Sequence, residues 1–509
     1  MPQQDRRGRA AKKQRWADLF PWEVARGSDV PLFRQIYLQL RSAVLAHRLQ
    51  PGTRLPSTRR LAAQLGVSRT SVVSAYEQLL AEGCLTGKVG SGTFISEDLS
   101  LVPASGRAAP LRVAPLGPPV LTARAQEAGE FLRGYPRADT EPFARGRCHM
   151  DERSARAWRR LAHQALRTFG SAHLGYSDPR GLPQLREAVC GYLRSARAVR
   201  CEADQIVITA GTQQAIDIIL RILLQPGDEV WTEDPHYALT YRALGGAQAT
   251  VRPIPVDRHG MDVAAGRRLA PRARAAFVTP SHQHPLGVVL SMARRLDLLA
   301  WARESGAWIV EDDCDGEYRY AGRPLAALQG LDGSGRVIYV GTFNKVLFPG
   351  LRLGYAVVPA GLLEAFVGTR FLMDRHPPSL EQLVLAEFMA QGHFAVHIRR
   401  TRQVYQEARD TLVTELTRHA GGCLAVDAPD QGMHLVAYLT GQCSDVAIER
   451  AARGQGLIAR ALSPLYLRAP ARQGLVLGYT GFAPEALRRA SASLAGVLRA
   501  QPARARASR

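Results

Sequence analysis

The sequence predicts two unequal folded units: a small N-terminal helix-turn-helix unit with a two-stranded wing, and a large α/β domain built on a mostly parallel sheet with helices on both faces. Three observations predict this. The chain has 509 residues, whereas one ordinary domain runs to about 100 to 200. Residues 31–96 show short helical periodicities closed by a Gly-rich hairpin, while residues 130–499 alternate short apolar runs with amphipathic helices. Between them, residues 97–129 are rich in Pro, Ala and Gly without clear periodicity and read as a linker.

In the first unit, Leu32, Ile36, Leu40, Val44 and Leu45 share one helical face, and Pro51-Gly52 stops the pattern after Leu49. Ser57 is placed to cap a short helix carrying Leu61, Ala62 and Leu65. Gly66-Val67-Ser68 then turns the chain, and Ser68 caps a third helix whose buried stripe is Val72, Ala75, Tyr76 and Leu79. Cys84-Leu85-Thr86 and Thr93-Phe94-Ile95, separated by Gly87 to Gly92, are expected to form the wing. In the large unit the clearest strands are Ile206-Val207-Ile208, Val230-Trp231, Ala276-Phe277-Val278, Trp308-Ile309-Val310 and Val337 to Val340.

Composition narrows the class. An apolar fraction of 46% with 22% charged residues is that of a globular protein and excludes disordered or fibrous readings. No apolar run approaches the roughly 18 to 20 residues of a membrane helix, and the basic N-terminus (Arg6 to Arg15) lacks a following apolar stretch, so neither membrane nor secretion is expected. The seven cysteines are odd in number and scattered without a C-x-x-C pair. That pattern argues against a disulfide framework and a zinc site, so the reading is a cytoplasmic protein with no metal. The net charge of +21 favours a polyanionic partner, and residues 1–100 already hold 15 Lys/Arg against 8 Asp/Glu.

Of the 66 basic residues only Lys12, Lys13, Lys88 and Lys345 are lysine. Guanidinium serves salt bridges and phosphates at least as well, but a Schiff base needs a primary amine able to lose its proton. Beyond residue 88, Lys345 alone supplies one.

The third helix presents Arg69, Thr70, Ser71 and Ser74 near its exposed N-terminal turns, where a recognition helix meets base edges of the major groove. Arg54, Arg59 and Lys88 are placed for phosphates. Together with Ser57, Ser68 and Gly90, these are the candidate DNA-contacting residues. The order Leu55-Pro56-Ser57-x-Arg59 to Val67-Ser68-Arg69-Thr70, then Gly90-x-Gly92-Thr93, resembles the GntR-type winged helix.

In the large unit, polar motifs fall where strands end, as ligand sites of open α/β sheets do. Gly211-Thr212-Gln213 opens a helix after Ile206 to Thr209, a setting that binds anions. Asp312 follows Trp308-Ile309-Val310, and a carboxylate there can keep a pyridine nitrogen protonated. Gly341-Thr342-Phe343-Asn344-Lys345 precedes Arg352 by seven residues, joining an imine-forming amine to a phosphate clamp.

In this order the motifs resemble the fold-type I aminotransferases. With the winged helix they resemble the MocR/GabR subfamily of GntR regulators over nearly the whole chain. The resemblance implies pyridoxal 5'-phosphate as an imine on Lys345, its pyridine nitrogen on Asp312, its phosphate on Arg352, Thr342 and Gly211-Thr212-Gln213, and Tyr237 stacked on its ring. It also implies a homodimer that binds a double-stranded DNA operator and senses an amino compound or the cofactor itself; a working aminotransferase with a DNA-binding arm is the alternative.

Two departures stand out. Cys314 occupies the place where these regulators usually carry Tyr, and Ser281-His282-Gln283-His284-Pro285 lacks the Asn of the aminotransferases, so His284 or Gln283 is expected to bond the ring oxygen. Val476-Leu477-Gly478-Tyr479 puts Val where transaminases grip the substrate carboxylate with Arg in R-L-x-F/Y, leaving Arg468 or Arg472 as candidate substitutes. His393 and His397 read as satisfied structural histidines.

Overall fold

The structure is a computed structural model that describes residues 22–46, 48–88, 91–97, 120–135, 140–322, 325–468 and 471–500. The chain divides into two compact units, Met1–Thr122 and Ala123–Arg509.

In the first unit, α1 (Leu32–Leu45), α2 (Thr58–Leu65) and α3 (Arg69–Ala81) enclose one core made of Ile36, Leu40, Val44, Leu61, Val72, Ala75 and Leu79. Ser57 caps α2, accepting from Arg60 N at 3.3 Å, and Ser68 caps α3, accepting from Ser71 N at 3.1 Å. Tyr76 is a core residue whose hydroxyl donates to Pro56 O at 3.0 Å. The wing strands β1 (Leu85–Lys88) and β2 (Gly92–Ile95) pair antiparallel from Leu85↔Ile95 to Lys88↔Gly92. They run longer than their apolar residues suggest, because backbone pairing carries through Gly87 and Lys88. A bridge from Arg54 to Phe94 adds a third chain segment to the wing's base. Gly90 lies outside the described residues.

The second unit starts with a helix, Ala123–Gly134, that begins inside the segment read as linker. None of its residues is buried, so it left no apolar stripe to read. The central sheet contains β3 (Ile206–Thr209), β4 (Glu229–Asp234), β5 (Thr250–Asp257), β6 (Gly260–Met261), β7 (Ala275–Val278), β8 (Trp308–Asp313), β9 (Val337–Thr342) and β10 (Gly354–Val357). Their order is β3-β10-β9-β8-β7-β4-β5-β6. The pairs from β9 through β8, β7 and β4 to β5 are parallel, but β10 runs antiparallel between β3 and β9, and β6 antiparallel to β5. The sheet is therefore mixed.

Both faces are covered, which explains the uninterrupted apolar runs. On one face the helix Thr212–Leu223 packs Ile216, Ile219 and Leu220 against Val230, Val310 and Ile338. On the other, Trp231 stacks on Trp301 of the helix Met292–Ser305 at 3.8 Å between ring centroids. A separate antiparallel sheet, ordered β11 (Leu424–Val426), β12 (His434–Leu439), β14 (Gly474–Gly478), β13 (Arg460–Ala461), packs on the helices His393–Ala420 and Pro484–Ala500. These short strands gave no separate signal in the sequence. Among the described residues no helix is long and apolar enough to cross a membrane.

Strand β10 does most to position the site. Gly354 pairs with Thr209 of β3 and with Thr342 of β9, so the loops leaving those two strands end at one level beside Arg352. A Cβ on Gly354 would stand 2.7 Å from Gly211 Cα and 2.9 Å from Gly341 O, both backbone atoms that a rotamer change cannot move. Gly354→Ala is expected to cost about 1–3 kcal/mol as an overpacked close approach, read as a lower urea midpoint for the large unit.

Candidate functional site

The candidate side chains gather at the C-terminal ends of the parallel strands. After β3, Gly211 takes φ +104°, a conformation open to glycine, and starts the helix Thr212–Leu223, whose first amides lack intrahelical partners. An ideal Cβ on Gly211 would lie 2.8 Å from Asn344 Nδ2 and 3.9 Å from each terminal nitrogen of Arg352. The exposed Arg352 guanidinium thus faces a helix N-terminus across a space without side chain, which is an anion cradle.

The other expected phosphate ligands divide. Thr212 opens the helix and Gln213 is exposed, whereas the buried Thr342 hydroxyl donates to Leu353 O at 3.4 Å and accepts from Asn344 N at 3.1 Å, shaping the turn. Asn344, which sequence reasoning passed over, accepts from Leu353 N at 3.0 Å and closes the same turn.

Lys345 follows at the end of β9. Its amine lies so close over Gly146 that a Cβ there would collide with Nζ. The next residue, Val346, presents its carbonyl to His397 Nε2 at 2.9 Å, and His397 Nδ1 meets Ser154 Oγ at 3.1 Å. His397 is thus a buried brace for the lysine loop.

The acidic run on β8 resolves into three different environments. Glu311 accepts the amides of Leu328 and Gln329 at 2.8 Å each. Asp313 is held by Arg197 Nε at 2.9 Å and the Tyr339 hydroxyl at 2.6 Å. Asp312 shares a cavity with Tyr237, Glu233, Thr232, Thr279 and Ile216, and its buried Oδ1 has no hydrogen-bond partner among the described residues. Burial, then the charges of Asp313, Asp315 and Glu233, push the Asp312 carboxyl up to about 7. A carboxylate so placed lacks a cation.

His284 lies edge-on to Tyr237, with 4.9 Å between ring centroids. Its Nε2 is 2.5 Å from Arg145 Nη1. A guanidinium only donates, so Nε2 accepts and Nδ1 carries the hydrogen. That Nδ1 is buried without a partner among the described residues. Burial, with Arg145 beside it, holds the imidazole well below its ordinary pKa and therefore neutral. Gln283, the other candidate for a ring oxygen, is committed: Nε2 donates to Pro235 O at 2.9 Å and Oε1 accepts from Leu286 N at 3.0 Å.

Behind His284, His282 Nδ1 meets Asp315 Oδ2 at 2.8 Å and His434 donates to Pro285 O at 3.0 Å. This convergence of three distant segments gave no signal in the sequence. The two arginines near Val476 in sequence have other surroundings. Arg472 lies over the Tyr438 ring at 3.6 Å, and Arg468 is exposed.

In the first unit, Arg54, Ser57, Arg59, Ser68, Arg69 and Thr70 are exposed and Ser71 is partly so. The hydroxyls of Ser57 and Ser68 already serve as caps, and Arg69 Nε donates to Thr58 Oγ1 at 3.5 Å, while Arg59 and Thr70 lie exposed around the α3 N-terminus. Arg54 sits against Gly92 of the wing, and Lys88 ends β1.

Comparison with known proteins places both units. Residues 143–473 match the model for aminotransferase class I and II, and residues 32–95 that for bacterial regulatory proteins of the gntR family. The chain is 40% identical to the probable rhizopine catabolism regulatory protein MocR of Rhizobium meliloti, over 92% of this chain and 94% of that protein. It is 32% identical to the HTH-type pyridoxine biosynthesis transcriptional regulator PdxR of Corynebacterium glutamicum, over 89% and 93%. Among solved structures, a kynurenine aminotransferase from Pyrococcus horikoshii, in complex with PMP, aligns at TM-score 0.67 and 26% identity over 74% of this chain and 96% of that one.

The position of Asp312 has a measurable consequence. Its folded-state pKa stands near 7, above the usual carboxylate range, so between about pH 4 and pH 7 the unfolded chain releases a proton that the folded chain keeps. Asp312 therefore subtracts from stability as pH rises through that window. In the cofactor-free chain, Asp312→Asn is expected to be more stable than wild type at pH 8, the advantage fading toward pH 4, as read from urea denaturation across pH.

Proposed function

Because the chain belongs to the MocR-type branch of the gntR family of DNA-binding transcription regulators, and carries the fold of the class I and II aminotransferases, we propose that its large domain holds pyridoxal 5'-phosphate on Lys345 and uses it to sense an amino compound or the vitamer itself. The observation that carries this reading is the Asp312 carboxylate, whose buried Oδ1 has no partner among the described residues, set in one cavity with Tyr237. When bound, the cofactor supplies an aldehyde that condenses with amines and a ring that withdraws electrons.

The chain's own residues do the holding. Lys345 offers the amine. Asp312, ionised opposite a pyridinium, gains the cation its surroundings lack. Arg352 and the amides opening the helix at Gly211-Thr212 take the phosphate. Tyr237 flanks the ring, and the Nδ1 hydrogen of His284 donates to the ring oxygen, doing the work of the absent tyrosine at Cys314.

The working unit is a homodimer in this reading. Leu174 (76% exposed), Tyr176 (79%) and Leu372 (86%) leave large apolar side chains uncovered. Arg375 lies over both Tyr176 and Phe371, tying the two segments into one surface. Such a patch is what a partner subunit covers. For sensing to control DNA binding, the ligand must favour one of two arrangements of the dimer by a differential free energy.

Two experiments test this. In cofactor-saturated protein, borohydride reduction and peptide mapping are expected to place the label on Lys345, with label and visible absorbance both lost in Lys345→Ala; label elsewhere, or none, overturns the assignment. On DNA selected by the wild-type chain from a random pool, Arg69→Ala is expected to weaken binding by about 1–3 kcal/mol and to relax specificity at one base step. Equal affinity of the cofactor-loaded and cofactor-free chains for that DNA removes the switch.

A further inference from the structure

We propose that Arg145 is the receptor for an anionic group of the sensed amino compound, a carboxylate, and that it replaces from a different segment the guanidinium missing at Val476. The inference rests on the reading of the large domain as an amine-sensing cofactor domain. It deepens that reading by naming the second functional group the ligand must carry.

The geometry starts from β14. Val476 and Gly478 point to the same face of that strand. Val476 is buried in an apolar cluster with Val436, Leu462 and Leu286, so the position that holds arginine in transaminases holds hydrocarbon here. One step along the same face, a Cβ on Gly478 would collide with Ala144 O and stand 2.9 Å from Arg145 Cα. The amide of Gly478 donates to Phe143 O at 2.9 Å, pinning segment 143–146 over the strand. The same segment then passes under Lys345, whose amine fills the space over Gly146. Arg145 is thus one residue from the site of the amine and lies on the face of β14 from which a transaminase arginine would reach.

The chemistry of its neighbours indicates what it takes. Arg145 makes no ion pair with a carboxylate among the described residues. Its guanidinium donates to His284 Nε2 at 2.5 Å. Neighbouring Arg460 is engaged with Glu449 at 3.1 Å, so that carboxylate is taken. Burial presses the Arg145 guanidinium below its ordinary pKa, which marks a cation short of compensation. Its contact with His284 leaves further N–H groups on the guanidinium, donors only. A planar fork of donors beside a neutral imidazole fits a carboxylate. Carried by the residue before Gly146, over which the Lys345 amine lies, it selects ligands whose amine and carboxylate belong to one small molecule.

The test is calorimetric titration of the full-length, cofactor-loaded chain with L-alanine, β-alanine and 4-aminobutyrate. Ethylamine is the decarboxylated match for the first two and 1-propylamine for the third. Wild type is expected to bind at least one acid more tightly than its matched amine. Arg145→Gln is expected to lower affinity for that acid by about 30-fold or more while leaving the matched amine unchanged, and Arg145→Lys to recover part of the loss. A wild-type chain that binds none of the three acids or is indifferent to the carboxylate overturns the proposal. So does an Arg145→Gln chain that keeps wild-type affinity for the acid, or loses acid and amine together with Arg145→Lys doing the same. A chain that shows no visible band yet discriminates acid from amine through Arg145 fails the cofactor reading and leaves the receptor standing.

Discussion

The close approach of Gly354 to Gly211 is the contact on which the site depends. An antiparallel strand inserted between β3 and β9 brings Arg352 to the amino end of the helix at Gly211 and sets Lys345 at the end of the adjacent strand. A parallel strand in that place would enter the sheet from the other end and carry Arg352 away from the loops it serves. The two glycines allow the backbones to touch, and the anion cradle is the space left where their side chains would be.

Around this scaffold the protein leaves several polar groups short of partners. Native interiors pair nearly all buried polar atoms, yet here Asp312 Oδ1 and His284 Nδ1 are buried and without a partner among the described residues. Their neighbours Glu311 and Gln283 are committed by contrast, Glu311 to two amides and Gln283 to two backbone groups, while Asp313 binds Arg197 and Tyr339 through Oδ2 alone. Buried unpaired polar atoms that gather around one site, with His282 Nε2 among them, are what groups kept for a ligand leave. Their charges and donors also differ in a useful way: an acid on β8, and a guanidinium and an imidazole hydrogen on the side toward β14.

Much of this was legible in the residues. Lys345 stood out because a chain so rich in arginine retains a lysine where an amine is needed, Asp312 because it follows a continuous apolar strand, and Arg352 because it lies seven residues beyond that lysine. The first unit was legible almost to its caps, since Ser57, Ser68 and the stripe from Val72 to Leu79 are local signals. Other features were not. The helix Ala123–Gly134 buries nothing and so shows no stripe. Strand β10 is four residues long and carries no mark of direction. Thr342 looked like a phosphate ligand from its position, but its hydroxyl is turned to the backbone. Arg145 was passed over in favour of Arg468 and Arg472, because only those lie near Val476 in sequence.

What the sequence by itself determined is the set of chemical parts and their order: a capped helix-turn-helix, strands ending in Gly211, Asp312 and Lys345, and the absence of arginine at position 476. Those are properties of residue type and short spacing, governed by local hydrogen bonding and periodicity. Only the tertiary structure decided which member of the acidic run stays without a cation, which nitrogen of His284 bears the hydrogen, and that segment 143–146 lies over β14 with Gly146 beneath the lysine amine. Each of these depends on contacts between residues more than a hundred positions apart, and such contacts are set by how the layers pack.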